Sequence, residues 1–318
     1  MKKILVTGSE GFLGSNLISH LKYIEGVKLY FFNKKKNLNY LNKITKECDI
    51  IFHLAGENRS KDKKKFEINN QKLTSTLCSL LKQNKNKSPI IFSSSIKLTE
   101  NSIYGRSKLL TEKILKNHSK SNKSFLKILR IPNVFGKWSK PNYNSFLATI
   151  CHSIWRNKKI NYIRLNDKID LIYIDSLIKI LSAFLKKKIK NNEVINIKPE
   201  KKILVSELYK KINSFYVDNQ NGYLPNIKNR FDKNLHATFL SHVPKKKILT
   251  NKKKYIDKRG IFSEIFKSKT NGQFSIFSIN PGKKRGGHFH HTKNEKFVLI
   301  SGKSIFSTYD IKSKKKYK

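Results

Sequence analysis

The chain opens with an apolar run that stops at glycine. Lys3-Ile4-Leu5-Val6 leads into Thr7-Gly8-Ser9-Glu10-Gly11-Phe12-Leu13-Gly14, after which Leu13, Leu17, Ile18 and Leu21 fall near helical spacing. That order predicts a buried strand, a tight turn and an amphipathic helix. Further apolar runs at 28–32, 49–54, 89–92 and 126–131 read as strands. Helical patterns are predicted over 64–84, from about 103 to 120, to about 157, and from 206 onward, with Asp175 expected to N-cap another. Strands alternating with helices predict an α/β fold: a Rossmann-type doubly wound parallel sheet with a small substrate lobe. The pattern changes after about 255 to short β-like runs separated by Gly and Asn, which predict a β module. The expected division is 1–243 for the α/β domain, 244–255 for a linker around Pro244-Lys245-Lys246-Lys247, and 256–318 for the β module.

The glycine turn carries the first chemistry. In Gly-x-x-Gly-x-x-Gly the first glycine permits the turn, the second lets backbone approach a pyrophosphate, and the third lets helix and strand pack closely. The helix start offers N–H groups to phosphate. Gly8, Gly11, Phe12, Leu13 and Gly14 are therefore the expected cofactor-binding turn. At the end of the second strand, where NAD-binding proteins carry an acid for the ribose hydroxyl, this chain has Asn33 followed by Lys34, Lys35 and Lys36. Lysines attract a 2′-phosphate, so NADPH is the expected cofactor, with Asn33, Lys34 and Lys35 on its adenosine side. His53 reads as a packed histidine at a strand end. Arg59 lies just past that strand's carboxyl edge, where ligands bind in such sheets.

Composition changes this picture little. Across 318 residues Lys+Arg number 68 against 21 Asp+Glu, a formal charge of +47. The excess is almost all lysine, spread over every segment with asparagine and isoleucine, whereas nucleic-acid readers favour arginine forks and clustered patches. No nucleic-acid partner is expected; the charge serves to attract an anionic sugar nucleotide. No apolar run reaches membrane-spanning length. Cys48, Cys78 and Cys151 lack disulfide or metal spacing, which fits a cytoplasmic location.

The Thr7-Gly-x-x-Gly-x-x-Gly14 turn resembles the extended, sugar-nucleotide branch of the short-chain dehydrogenase/reductases, the NAD-dependent epimerase/dehydratase type. The resemblance extends to His53-Leu54-Ala55-Gly56, and implies that Leu54, Ala55 and Gly56 line the cofactor and that Asn70 belongs to the site. Tyr104-x-x-x-Lys108 puts two side chains on one helix face. A free tyrosine, with a pKa of about 10, is a poor acid–base group at neutral pH, and a lysine one turn away favours its phenolate. The resemblance implies that Tyr104 and Lys108 are catalytic, that Lys108 also binds the nicotinamide ribose, and that Ser95 polarises the substrate carbonyl. Arg130-x-x-Asn133-Val-Phe-Gly136 resembles the strand end of sugar-nucleotide epimerases and reductases, which implies that Asn133 faces substrate. The polar, aromatic loop that follows makes Lys137 and Asn142 further substrate candidates, beside Arg59.

A second motif, Gly282-x5-His288-x-His290-x4-Glu295-x6-Gly302, has every fixed position of the first cupin metal motif. His-x-His on a strand would point both rings to one side, and two imidazoles with a carboxylate suit a divalent ion, with Zn expected. Asp257-Lys-Arg259-Gly260 and Arg285-Gly-Gly-His288 resemble the sugar-nucleotide 3,5-epimerases. The fusion resembles bifunctional capsular-polysaccharide enzymes of the CapF/WbjC type. That resemblance implies a cupin that epimerises carbon 3 of a UDP-4-keto-6-deoxy-N-acetylhexosamine and a reductase domain that reduces its 4-keto group with NADPH, on the way to UDP-N-acetyl-L-fucosamine. No second cupin motif follows Gly302, so the expectation is a C-terminally truncated cupin. A homodimer through 64–84 and 104–120 is expected. The competing readings are an NAD-retaining epimerase or dehydratase, for which Glu100 is the one acid between Ser95 and Tyr104, and a non-catalytic NADP(H) sensor or nucleic-acid binder.

Overall fold

The computed structural model describes residues 1–57, 62, 66–99, 102–143, 145–160, 164–249, 251–270 and 272–318. Its contacts divide the chain into two units, 1–252 with 265–274, and 253–264 with 275–318.

The first unit is Rossmann-like. Strands β1 (Lys2–Thr7), β2 (Val27–Phe32), β3 (Ile50–His53), β4 (Ile90–Ser95), β5 (Leu126–Ile131) and β8 (Glu193–Asn196) form one parallel sheet in the order β2-β1-β3-β4-β5-β8. The order reverses at β1, so the crevice at the carboxyl ends of β1 and β3 is the topological switch point where such sheets bind ligands. Alternation along each strand supplies both faces. Ile4 and Val6 pack with α1 (Phe12–Leu21) and α6 (Ile174–Ala183) in one core. Leu5, Ile51, Ile90 and Phe92 pack with α2 (Leu38–Thr45), α3 (Leu73–Gln83) and α4 (Ile103–Asn122) in the other. The predicted 64–84 helix is described from Phe66 onward, beginning with a π-helical turn over Glu67–Lys72 before α3.

The lobe holds a three-stranded sheet, β6 (Asn133–Phe135), β7 (Lys168–Tyr173) and β9 (Lys201–Leu204), and helices α5 (Phe146–Trp155), α7 (Val205–Gln220) and α8 (Arg230–Leu240). Trp155 stacks on Phe239 at 4.6 Å between ring centroids, and its indole N–H donates to the Phe239 carbonyl oxygen at 3.0 Å. A large buried aromatic here has both apolar contact and a partner for its polar edge. Asp175 is not an N-cap: Tyr173 takes that position without a side-chain cap bond, and Asp175 lies in the first turn of α6, paired with Lys137 at 2.5 Å.

The C-terminal segment from 255 onward contains antiparallel strands, of which the end of β11 and the start of β12 are counted with the first unit. β10 (Tyr255–Asp257) pairs with β11 (Gly260–Lys267), whose far edge carries β12 (Gln273–Phe277), and β13 (Thr308–Tyr309) pairs with β14 (Lys316–Tyr317). The residues between Phe277 and Thr308 form no strand, so the expectation that His288 and His290 share one is corrected. Among the described residues there is no jelly roll; β10, β11 and β12 make one three-stranded sheet, β13 and β14 a two-residue pair, and Ile300 and Ile305 remain 79% and 80% exposed.

Candidate active site

The glycine turn has the geometry a dinucleotide requires. Gly8 adopts φ +67°, and a Cβ there would lie 2.7 Å from the Ala55 backbone. A Cβ on Gly14 would fall 2.2 Å from the Gly8 carbonyl oxygen. Gly11 caps α1 with no side-chain bond, so the helix starts with N–H groups that no side chain covers and no acid repels an anion in its first turn. Phe12 and Leu13 pack partly into the core beneath the turn. This cradle fits a pyrophosphate.

A directed chain of hydrogen bonds fixes the turn to its neighbours. The Thr74 hydroxyl donates to the Asn70 carbonyl oxygen at 2.5 Å, so it accepts from His53 Nε2–H at 2.8 Å. His53 Nδ1 then accepts from the Thr7 hydroxyl at 2.8 Å, and Thr7 Oγ1 accepts from the Ala55 N–H at 3.2 Å. Burial, with the Lys108 charge nearby, pushes His53 down to about 3, so it stays neutral at any working pH. The expectation of a packed histidine matches this arrangement.

Asn70 is a junction. Its Oδ1 accepts from the Glu57 N–H at 2.6 Å, and its Nδ2 donates to the Ser107 hydroxyl at 2.9 Å. Lys108, only 4% exposed, donates to the Ser93 carbonyl oxygen at 3.0 Å and lies over the Phe92 ring. A Cβ on Gly56 would sit 3.1 Å from both Lys108 Nζ and Asn70 Oδ1, so Gly56 leaves room for the ammonium. Burial lowers the Lys108 pKa to about 8, while Glu112 one turn along raises it. Tyr104 stands in the first turn of α4, started by the Ser102 hydroxyl accepting from the Gly105 N–H, with Phe66 edge-on to its ring. Ser95 ends β4, and its oxygen accepts from the Lys97 N–H at 3.1 Å. Ser94 instead donates to Glu112 at 2.6 Å, and Arg130 clamps the same buried carboxylate at 3.0 Å.

At the end of β2, where the adenosine side is expected, Asn33 Oδ1 accepts from the Lys35 N–H at 3.0 Å. The lysines are not bare: Lys34 lies 3.8 Å from Glu57, and Lys35 lies 3.3 Å from Glu10. Lys35–Glu10 is exposed at both ends and is worth little in water, whereas Lys34 reaches from solvent toward the buried Glu57 carboxylate. In the lobe, Asn133 Nδ2 donates to the Asp170 carbonyl oxygen at 3.2 Å, tying β6 to β7. Lys137 pairs with Asp175, and Asn142, at φ +57°, donates its N–H to the Thr149 hydroxyl at 2.9 Å. Arg59 and Glu100 lie outside the described residues. Glu57 was missed by sequence reasoning; the available signal was an acid directly after a small-residue strand end in a lysine-rich chain.

The second unit brings its three expected ligands together. One donor atom from each of His288, His290 and Glu295 lies within 4.8 Å of the others, and His290 Nε2 is 3.5 Å from Glu295 Oε1. Two imidazoles and a carboxylate fit a divalent ion with a coordination position open. The Lys293 ammonium, 3.0 Å from Glu295, holds that carboxyl below its ordinary range, with the two histidines adding to the effect.

Residues 4–197 match the NAD dependent epimerase/dehydratase family. The chain belongs to that family. As a family member it also carries a match to the polysaccharide biosynthesis C-terminal domain over 255–318. It is 35% identical over 309 residues to the UDP-2-acetamido-2,6-beta-L-arabino-hexul-4-ose reductase of Pseudomonas aeruginosa, covering 97% of this chain and 83% of that protein. The capsular polysaccharide assembling protein CapF from Staphylococcus aureus is similar in structure, with TM-score 0.77 at 33% identity over 91% of this chain and 79% of that one. RMD from Pseudomonas aeruginosa, complexed with NADPH, shares the fold at TM-score 0.63 and 17% identity, covering 76% of this chain and 99% of that one.

The neutral, buried His53 makes stability depend on pH. Unfolded, it takes a proton below about 6.5; folded, it resists one down to about 3. Its contribution is complete above 6.5 and is lost as pH falls toward 3, by roughly 1.4 kcal/mol per pH unit inside that window. Urea midpoints between pH 7 and 4 should fall more steeply for wild type than for His53→Gln; equal slopes would show that His53 is not the titrating group.

Proposed function

We propose that the protein is an NADPH-dependent reductase of the 4-keto group in a UDP-4-keto-6-deoxy-N-acetylhexosamine, in the formation of the UDP-N-acetyl-L-fucosamine precursor for a surface polysaccharide. The observation that carries this reading is the buried Lys108 ammonium beside Gly56, one helical turn from Tyr104 and held by the Ser93 carbonyl within β4. The relationship to the Pseudomonas aeruginosa reductase supports the substrate class.

In this reading Tyr104 gives its phenolic proton to the oxygen being reduced. Lys108 favours the phenolate that remains and binds the nicotinamide ribose. Ser95 orients the keto oxygen, its own oxygen already satisfied by the Lys97 N–H, so its hydrogen is available to donate. NADPH supplies the hydride when bound. Asn33, Lys34 and Lys35 receive its 2′-phosphate, which draws the exposed lysine ends away from Glu57 and Glu10. Asn133, Lys137, Asn142 and Arg59 are the substrate candidates.

Residues 255–318 are read as a cupin-type module in which His288, His290 and Glu295 hold zinc or a similar ion for 3-epimerisation. A homodimer is proposed through α3, α4 and the π-helical turn. Ile68, Ile103, Leu109 and Leu110 support it, as exposed apolar side chains on those elements.

Tyr104→Phe should lower the rate of NADPH oxidation with a UDP-4-keto sugar by about 10²–10⁴-fold while NADPH still binds. Wild-type turnover by this variant would remove the assigned mechanism, and tighter binding of NADH than NADPH would remove the cofactor assignment. Zinc measured by mass spectrometry after loading and gel filtration should fall from about one per chain to near none in His288→Ala; equal retention would refute the ligand set. Light scattering at micromolar concentration should give the dimer mass, and a monomer alone would count against that interface.

A further inference from the structure

Glu57 is engaged on every side although it belongs to no motif. It follows Gly56 at the carboxyl end of β3 and is 6% exposed. One carboxylate oxygen accepts from the Tyr143 hydroxyl at 2.6 Å; the other accepts from Asn69 Nδ2 at 3.0 Å and lies 3.8 Å from Lys34 Nζ. Its backbone N–H donates to Asn70 Oδ1, the same amide that reaches Ser107 on α4. Its position is therefore set by the network that sets the cofactor cleft.

Tyr143 comes from elsewhere in the fold, 86 residues away, on the loop joining β6 to α5. That loop is under backbone strain. Trp138 has φ +67°, a left-handed region that a bulky residue occupies at a cost of roughly 1 kcal/mol or more, and Asn142, a residue type that enters this region more easily, has φ +57°. Such a conformation persists only where surrounding bonds over-determine it. Ties of the loop to α5, α6 and α1 include Asn142 N–H to Thr149, Lys137 to Asp175, and Asn16 Nδ2 to the Lys137 carbonyl oxygen at 3.4 Å. Tyr143 reaches instead to the end of β3, beside the cofactor turn.

We propose that Glu57 is a positioning residue: by accepting the Tyr143 hydroxyl it holds the 136–143 loop across the carboxyl end of β3, in the form that receives the nucleotide of the sugar substrate. The inference rests on the UDP-sugar reading above. It requires a carboxylate. Tyr143 and Asn69 both present donors, and a glutamine offers one acceptor where two are used. A hydrogen bond from Tyr143 to a charged, buried acceptor is stronger than one between neutral groups, enough to hold a strained loop.

The test uses the full chain saturated with NADP⁺ and titrated with UDP in a calorimeter, for wild type, Glu57→Gln, Tyr143→Phe and the double variant. Each single variant should bind UDP about tenfold more weakly, and the double variant no worse than about twofold beyond either, because both remove one shared bond. Hydrogen exchange without UDP should quicken in 137–143 and stay unchanged in β3 and the π-helical turn, which a general loss of packing would also loosen. UDP affinity within twofold of wild type in Tyr143→Phe, multiplied losses in the double variant, or faster exchange spreading into β3 would each overturn the proposal. If wild type itself fails to bind UDP, the UDP-sugar reading falls and takes this inference with it.

Discussion

The neutrality of His53 is the condition on which the rest of the site depends. Its ring lies between Thr7 of β1 and Thr74 of α3, and each hydroxyl passes its polarity onward, from the Ala55 N–H at one end to the Asn70 carbonyl at the other. The chain has one direction because Thr74 has only one hydrogen and Asn70's carbonyl takes it. A protonated ring would set a second N–H against the Thr7 hydroxyl and add a positive charge close to Lys108. The fold prevents this by burying the ring completely. Through this line the glycine turn, the small residues after β3 and the helix bearing Asn70 are tied together. Lys108 takes its place against them.

A chain with 68 basic and 21 acidic residues cannot neutralise its surface, and most lysines stand in water. The few buried acids are used as organisers. Glu112 gathers Ser94 and Arg130 at the ends of β4 and β5, with Lys116 at 3.8 Å. Asp232 holds Lys211 at 2.9 Å and accepts from the Asn229 amide at the start of α8. Glu57 joins the sheet to the lobe loop. Buried ion pairs add little net stability against an apolar substitute, because desolvation offsets attraction. What they supply here is placement: removing one partner would strand the other's charge, so the arrangement has few alternatives.

The parts of this site that could be read from sequence are those built from neighbours along the chain. The glycine turn, Tyr104 with Lys108, and His288-x-His290-x4-Glu295 are local, and their spacing already states which side chains can meet. Five strands of the parallel sheet were equally legible, since each is a short apolar run before a polar turn; the edge strand β8, Glu193-Val-Ile-Asn196, has no such run and escaped. What else escaped was long-range. The Tyr143–Glu57 bond spans 86 residues, and the Thr7–His53 bond spans 46. No periodicity connects such positions; only the sheet order does. Asp175 shows the opposite error: the helix begins at Ile174, ahead of the cap signal, so Asp175 lies inside the first turn and its carboxylate pairs with Lys137 instead.

The C-terminal segment separates ligand geometry from fold. His288, His290 and Glu295 converge although the stretch bearing them forms no strand. The strand argument for one-sided rings was therefore the wrong cause for the right meeting. Gly286 and Gly287, both at positive φ, precede His288, so the turn can bend the backbone where a side chain would resist. Eight residues, His288 to Glu295, then suffice to close the group. Because the three ligands are exposed and the apolar residues around them are as well, little surrounding structure holds the donors in place before an ion arrives. Binding there would order the segment as well as fill the site, so metal affinity and local folding are one equilibrium rather than two.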